Sequence, residues 1–252
     1  MGPPVAEVAL VTGGARRIGR AIVLRLAEAG YAVAIHCNSS RAEALALADE
    51  IGAAGGRAHV IVADLVDPAA VERIVPEAEA ALGPVSLLVN SASSFLVDDL
   101  TALDVLMWNR QFSINLRAPS VLAGAMANRL PAERQGAIVN IVDQRVWKLT
   151  PQYYSYTLTK AALLTATTTM AQALAPRIRV NAVGPGPTFA NPHNGEALLA
   201  AEAGGTPLGR KVEAADIAEA VLYLARAKAI TGQMIAVDAG QHIAWRTPDI
   251  VD

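Results

Sequence analysis

Tyr156 and Lys160, in YYSYTLTKAALL, stand four residues apart in a helix-like segment, so their side chains share one face. An ammonium beside a phenol favours the phenolate and should draw the tyrosine pKa down from about 10, easing proton transfer near neutral pH. By itself Y-x-x-x-K arises by chance. A second stretch, TGGARRIG at 12–19, follows the apolar run VALVT and opens another helix-like segment. Gly13, Gly14 and Gly19 supply the backbone freedom and close approach that a pyrophosphate needs at a helix N-terminus. Arg17 sits where such a turn ordinarily carries glycine. Positive charge there opposes the helix dipole unless an anion is bound, which places Arg17 near cofactor phosphates.

A dinucleotide site that prefers NAD carries a carboxylate about 20 residues beyond the glycines, on the ribose 2′-hydroxyl. Here the second strand runs into HCNSSRAE, with no carboxylate before Glu43. Arg17, Ser39, Ser40 and Arg41 would instead welcome a 2′-phosphate, so NADP(H) is the expected cofactor.

These groups need a scaffold. Short β-branched runs recur at 8–12, 32–36, 58–63, 85–90, 137–142, 178–183 and 233–238. Most are apolar nearly throughout, as strands covered on both faces are. Helix-like segments closing on glycine lie between them, such as IGRAIVLRLAEAG and PAAVERIVPEAEAALG. The alternation predicts an α/β fold: a Rossmann-type doubly wound parallel sheet of seven strands with helices on both faces. No linker or repeat interrupts it, so residues 1–252 are expected to form one domain. The Gly/Pro-rich stretch 184–211 reads as irregular, and 187–210 within it as a substrate lid.

Composition narrows the function classes. The chain has 252 residues, 53% of them hydrophobic, and a formal net charge of -2. Without a Lys/Arg cluster, neither nucleic acid nor an anionic membrane is an expected partner. The lone Cys37 cannot form an internal disulfide and should lie partly buried near the adenosine site. The N-terminal segment does not read as a signal peptide, and AALLTATTTMAQALA is too short to span a bilayer, so a soluble, cytoplasmic protein is expected. His36, His59, His193 and His242 show no ligand spacing, so no metal site is expected.

Taken together, the glycine turn, Asp64 after the third strand, Asn90-Ser91-Ala92 after the fourth, Asn115, Tyr156 with Lys160, Pro185-Gly186 and Val237-Asp238 resemble the short-chain dehydrogenase/reductase family over essentially the whole chain. The resemblance implies Tyr156 as general acid, Lys160 on the nicotinamide ribose and Asn115 supporting a water-linked proton relay. It implies a cofactor lining of Gly13, Ile18, Gly19, Asp64, Leu65, Asn90, Ser91, Ala92, Gly186 and Thr188, with Asp64 near the adenine and Thr188 near the carboxamide. It also implies a homotetramer or homodimer built from the helices carrying Asn115 and Tyr156.

Two departures narrow the substrate. Family members that reduce ordinary ketones carry a serine thirteen residues before the tyrosine, where this chain has Asp143. A carboxylate would repel a developing alkoxide, yet it can orient or protonate a ring nitrogen as a C=N bond is reduced. Arg17, the segment Ser91-Ala92-Ser93-Ser94-Phe95, Asp143 and Tyr153 together resemble the pteridine reductase branch. That resemblance implies a pterin stacked on Phe95 and lined by Arg17, Ser93, Asp143, Tyr153 and Tyr156. The expected activity is NADPH-dependent reduction of a dihydropterin-like heterocycle. The alternatives are a carbonyl or 3-oxoacyl reductase of the same family and a non-catalytic NADP-sensing or scaffold protein. Arg145 suits an anionic substituent on the substrate and a surface salt bridge equally. Trp147 has no match to a pterin, and the tail from Gly240 onward could dock on a neighbouring subunit or be disordered beyond Arg246.

Overall fold

A computed structural model describes residues 7–190 and 195–245. Val8–Thr12 (β1), Ala32–Cys37 (β2), Ala58–Val62 (β3), Val85–Asn90 (β4), Gly136–Ile141 (β5), Ile178–Pro185 (β6) and Met234–Val237 (β7) form one sheet in the order β3-β2-β1-β4-β5-β6-β7. Every pairing is parallel. β1 is hydrogen-bonded to β2 on one side and to β4 on the other. All seven expected strands are present, with ends moved by a residue or two.

The helices are Arg17–Glu28 (α1), Arg41–Ala53 (α2), Pro68–Leu82 (α3), Val105–Phe112 (α4), Ala118–Arg129 (α5), Tyr154–Leu174 (α6), Gly195–Gly204 (α7) and Ala214–Arg226 (α8). Strand side chains alternate between faces, so β1 serves two cores at once. Val8 and Leu10 pack with α3 and α5, while Ala9 and Val11 pack with α1 and α8. Each of these four residues is at most 1% exposed.

In parallel βαβ units the helices point their carbonyl ends toward the N-terminal edge of the sheet, where partial negative charge and unpaired acceptors gather. Arginines meet them. Arg177 donates to Leu130 O (2.6 Å) and Ala127 O (2.5 Å) at the end of α5. Arg179 donates to Leu224 O (2.7 Å), Ala225 O (2.6 Å) and Ala227 O (2.8 Å) at the end of α8. Arg226 reaches Ala29 O, and Arg57 reaches Leu82 O.

The stretch 184–211 is not irregular throughout, because α7 occupies its centre. Alanines and leucines in GEALLAAEAG carry that helix, and Leu199 and Ala203 are buried. His193 lies outside the described residues, as does the tail beyond Trp245.

Candidate active site

A cavity of about 510 Å³ opens at the C-terminal ends of the strands. It spans the place where the strand order reverses between β1 and β4, the usual ligand crevice of an open parallel sheet.

The glycine turn forms one wall. Gly13 has φ +65°, and a Cβ on it would lie 2.8 Å from Ala92 Cα. A Cβ on Gly19 would fall 2.1 Å from Gly13 O, so only hydrogen lets α1 start so close to the turn. Thr12 ties the turn to the end of β4, its hydroxyl accepting from Ser91 N (3.0 Å) and Ala92 N (3.1 Å). α1 begins with no side-chain cap and no acidic residue in its first turn. Its leading amides are therefore available to an anion, and the cradle fits a dinucleotide diphosphate.

Arg17 adopts φ +51°, in the left-handed region that favours glycine. Its guanidinium donates to Ala190 O (3.3 Å) and lies over the Phe189 ring, 5.0 Å from the centroid. Arg17 thus joins the phosphate turn to the segment after β6.

Asp64, Leu65, Ser91, Ala92, Gly186, Thr188 and Ile18 all line the cavity. Asn90 does not. It lies fully inside, donating to Asn140 Oδ1 at 2.8 Å, and braces β4 against β5. Ser39, Ser40 and Arg41 also fall outside the lining, because β2 ends one residue later than expected and Ser40 and Arg41 start α2. Arg16, His36 and Asn38 line the wall beside them. Arg16, on that wall, is ion-paired with Glu43 at 3.0 Å. Cys37 is 2% exposed, more deeply buried than expected.

The opposite wall carries the proton chemistry. Tyr156 donates its hydroxyl to Asp143 Oδ2 at 2.8 Å, and Asp143 Oδ1 accepts from Arg145 N at 2.8 Å. Walled in by protein and open only to the cavity, the Asp143 carboxyl is raised above the usual carboxylate range by loss of solvent. Tyr156 corrects an expectation: burial, followed by the adjacent carboxylate, lifts it well above 10. The ammonium expected to lower it is directed elsewhere, since Lys160 Nζ donates to Ile141 O at 2.8 Å and sits 5.7 Å from the centre of the Tyr156 ring. Burial brings Lys160 itself down to about 8.

Asn115 lies in a π-helical turn, Ser113–Arg117. Its side chain accepts from Ser94 N (2.8 Å) and donates to Ser94 O (2.9 Å) and Thr159 Oγ1 (3.0 Å). It therefore pins the Ser93–Phe95 loop to the catalytic helix. Tyr153, just before α6, has φ +55°. Asp98 caps the helix in its place, with both carboxylate oxygens 3.1–3.2 Å from Ser155 N. Phe95 stacks on Tyr153 with centroids 4.4 Å apart and 18° between planes, and meets Tyr156 edge-on at 4.5 Å. The Arg145 guanidinium lies over the Tyr153 ring, 5.1 Å from its centroid, and donates to Thr150 Oγ1. No carboxylate among the described residues lies within ion-pair reach of it, so the surface salt bridge is not formed. Trp147 packs against His242, whose Nδ1 is 2.7 Å from Asp238 Oδ2.

The family model described as Enoyl-(Acyl carrier protein) reductase matches residues 13–242. A short-chain type dehydrogenase/reductase of Picea abies is 33% identical over 93% of this chain and 92% of its own. The chain belongs to the short-chain dehydrogenase/reductase family. Another relative in the family, the 3-oxoacyl-[acyl-carrier-protein] reductase FabG of Staphylococcus epidermidis, is 35% identical over 93% of this chain and 98% of its own. The solved structure of FolM alternative dihydrofolate reductase 1 from Brucella canis, complexed with NADP, superposes with a TM-score of 0.95. It is 49% identical and covers 98% of both chains. The Brucella suis FolM, also with NADP, gives 0.91 and 50% identity over 97% of this chain and 99% of its own.

Proposed function

We propose that this short-chain dehydrogenase/reductase uses NADPH to reduce a C=N bond of a pterin-like heterocycle. The observation that carries the reading is the Tyr156–Asp143 hydrogen bond beside the Phe95–Tyr153 aromatic wall. A flat ring lying against that wall faces a carboxyl group where a ketone reductase presents a neutral hydroxyl. The similarity to two FolM proteins solved with NADP supports both the cofactor and the substrate class.

When bound, the nicotinamide supplies hydride, and the chain's own residues supply position and protons. Asp143, raised by burial, holds a proton at neutral pH more readily than an exposed carboxyl and can pass it to a ring nitrogen. Tyr156 stays a neutral phenol, orients that carboxyl and forms the second member of the proton-delivering pair. The Lys160 charge steadies the pair when Asp143 is ionised. Asn115 acts by fixing the Ser93–Phe95 loop against α6.

Residues 187–210 form the substrate lid in this reading: Phe189, Leu198, Leu199 and Glu202 face the cavity from it. Arg145 suits an anionic substituent on the substrate. The chain assembles as a homotetramer or homodimer in the cytoplasm. Reduction of a 3-oxoacyl carbonyl is the second reading, supported by the FabG relatives; Asp143 counts against it in its ionised form, whose charge opposes the alkoxide.

The deciding experiment follows NADPH oxidation with dihydrobiopterin, dihydromonapterin and dihydrofolate beside ketones and 3-oxoacyl esters. Turnover confined to the pterins is the expected result. Turnover confined to carbonyl compounds would replace this reading with the second.

A further inference from the structure

His36 lies at the end of β2, 2% exposed, and lines the cavity beside Gly13. Its Nε2 is 3.1 Å from Ala63 O, an atom that can only accept, so Nε2 carries the hydrogen. In the neutral ring Nδ1 then keeps its lone pair, and Gly13 N–H donates to it over 3.3 Å. The His36 carbonyl takes the next amide, Gly14 N–H, at 2.9 Å. One residue thus accepts from both leading amides of the phosphate turn. Burial brings the imidazole down to about 4, so the ring is neutral at physiological pH.

The turn needs such a hold. Gly13 has no side chain to anchor it, and its carbonyl is already pressed against Gly19. Ala63 immediately precedes Asp64, which lines the same cavity. We infer that His36 is a positioning residue for the dinucleotide, holding the phosphate turn through an Nδ1 acceptor that the Nε2–H bond to Ala63 O keeps free of a proton. The inference rests on the cofactor assignment made above, and wild-type NADPH binding checks that assignment separately.

Two substitutions separate the ring's two bonds. His36→Asn retains an acceptor near the position of Nδ1, and His36→Gln retains a donor near Nε2 without that acceptor. NADPH affinity is read by fluorescence titration of the folded proteins, and turnover gives KM and kcat. His36→Gln is expected to weaken NADPH binding about ten-fold, the loss of one buried hydrogen bond, with kcat at saturating NADPH little changed. His36→Asn is expected to recover most of the affinity. Equal losses in both variants, or a loss confined to kcat, would overturn the inference. If neither variant folds, ¹⁵N imidazole spectra of the wild-type protein decide: the Nε2–H tautomer supports the inference and the Nδ1–H tautomer overturns it.

Discussion

Asp143 and Tyr156 share a hydrogen bond in the cavity wall, and each alters what the other can do. Tyr156→Phe removes one of two linked proton-handling groups. Turnover is expected to fall about 100-fold or more, while NADPH titration shows unchanged binding. Asp143→Ser replaces the carboxyl by a neutral hydroxyl, so kcat/KM should drop for dihydropterins and rise for ketones; equal change on both substrates would dismiss the charge argument. The pH profile follows from two groups. Asp143 holds its proton to a higher pH than an exposed carboxyl, and Lys160, lowered to about 8, carries its charge below that pH. Both protons are lost as pH rises, so the pterin rate should be highest on the acid side, fall as Asp143 ionises and fall further through about pH 8. The candidate proton-handling residues were legible in the sequence because type and spacing mark them. His36, Arg16 and Asp98 were not, because their roles depend on where β2 stops and on how the Asp98 loop folds back over α6.

At the scale of elements, α1 starts on a strained residue. Arg17 holds φ +51°, which costs about 1–2 kcal/mol for a residue with a Cβ. Arg17→Gly should therefore raise thermal stability while weakening NADPH and pterin binding, a divergence that calorimetry and ligand titration would read on the same sample. Arg179 bonds the carbonyls at the end of α8 from β6. Arg179→Met leaves Leu224 O and Ala225 O short of a donor and is expected to cost about 2–3 kcal/mol, measured by denaturant unfolding. Strands and flanking helices were readable from their periods, since burial on both faces enforces long apolar runs. α7 was not: glycines at both of its ends resemble a loop, and its weakly two-sided pattern of alanine and leucine gives no face to read.

At the scale of the molecule, α4 exposes Val105 at 63% and Leu106 at 79%, apolar surface that subunit contact would remove from water. Light scattering after gel filtration is expected to give a dimer or tetramer, and Val105→Lys with Leu106→Glu should shift that mass downward. The strand order has a consequence for synthesis. A ribosome releases β1, β2 and β3 first, and these can pair among themselves as soon as they emerge. The other side of β1 has no neighbour until Val85–Asn90 has been made, so the nascent chain carries the bare edge of its future centre. Translation that stalls before β4 leaves that edge open to a second stalled chain, and aggregation of truncated product should drop sharply once residue 90 has cleared the exit tunnel.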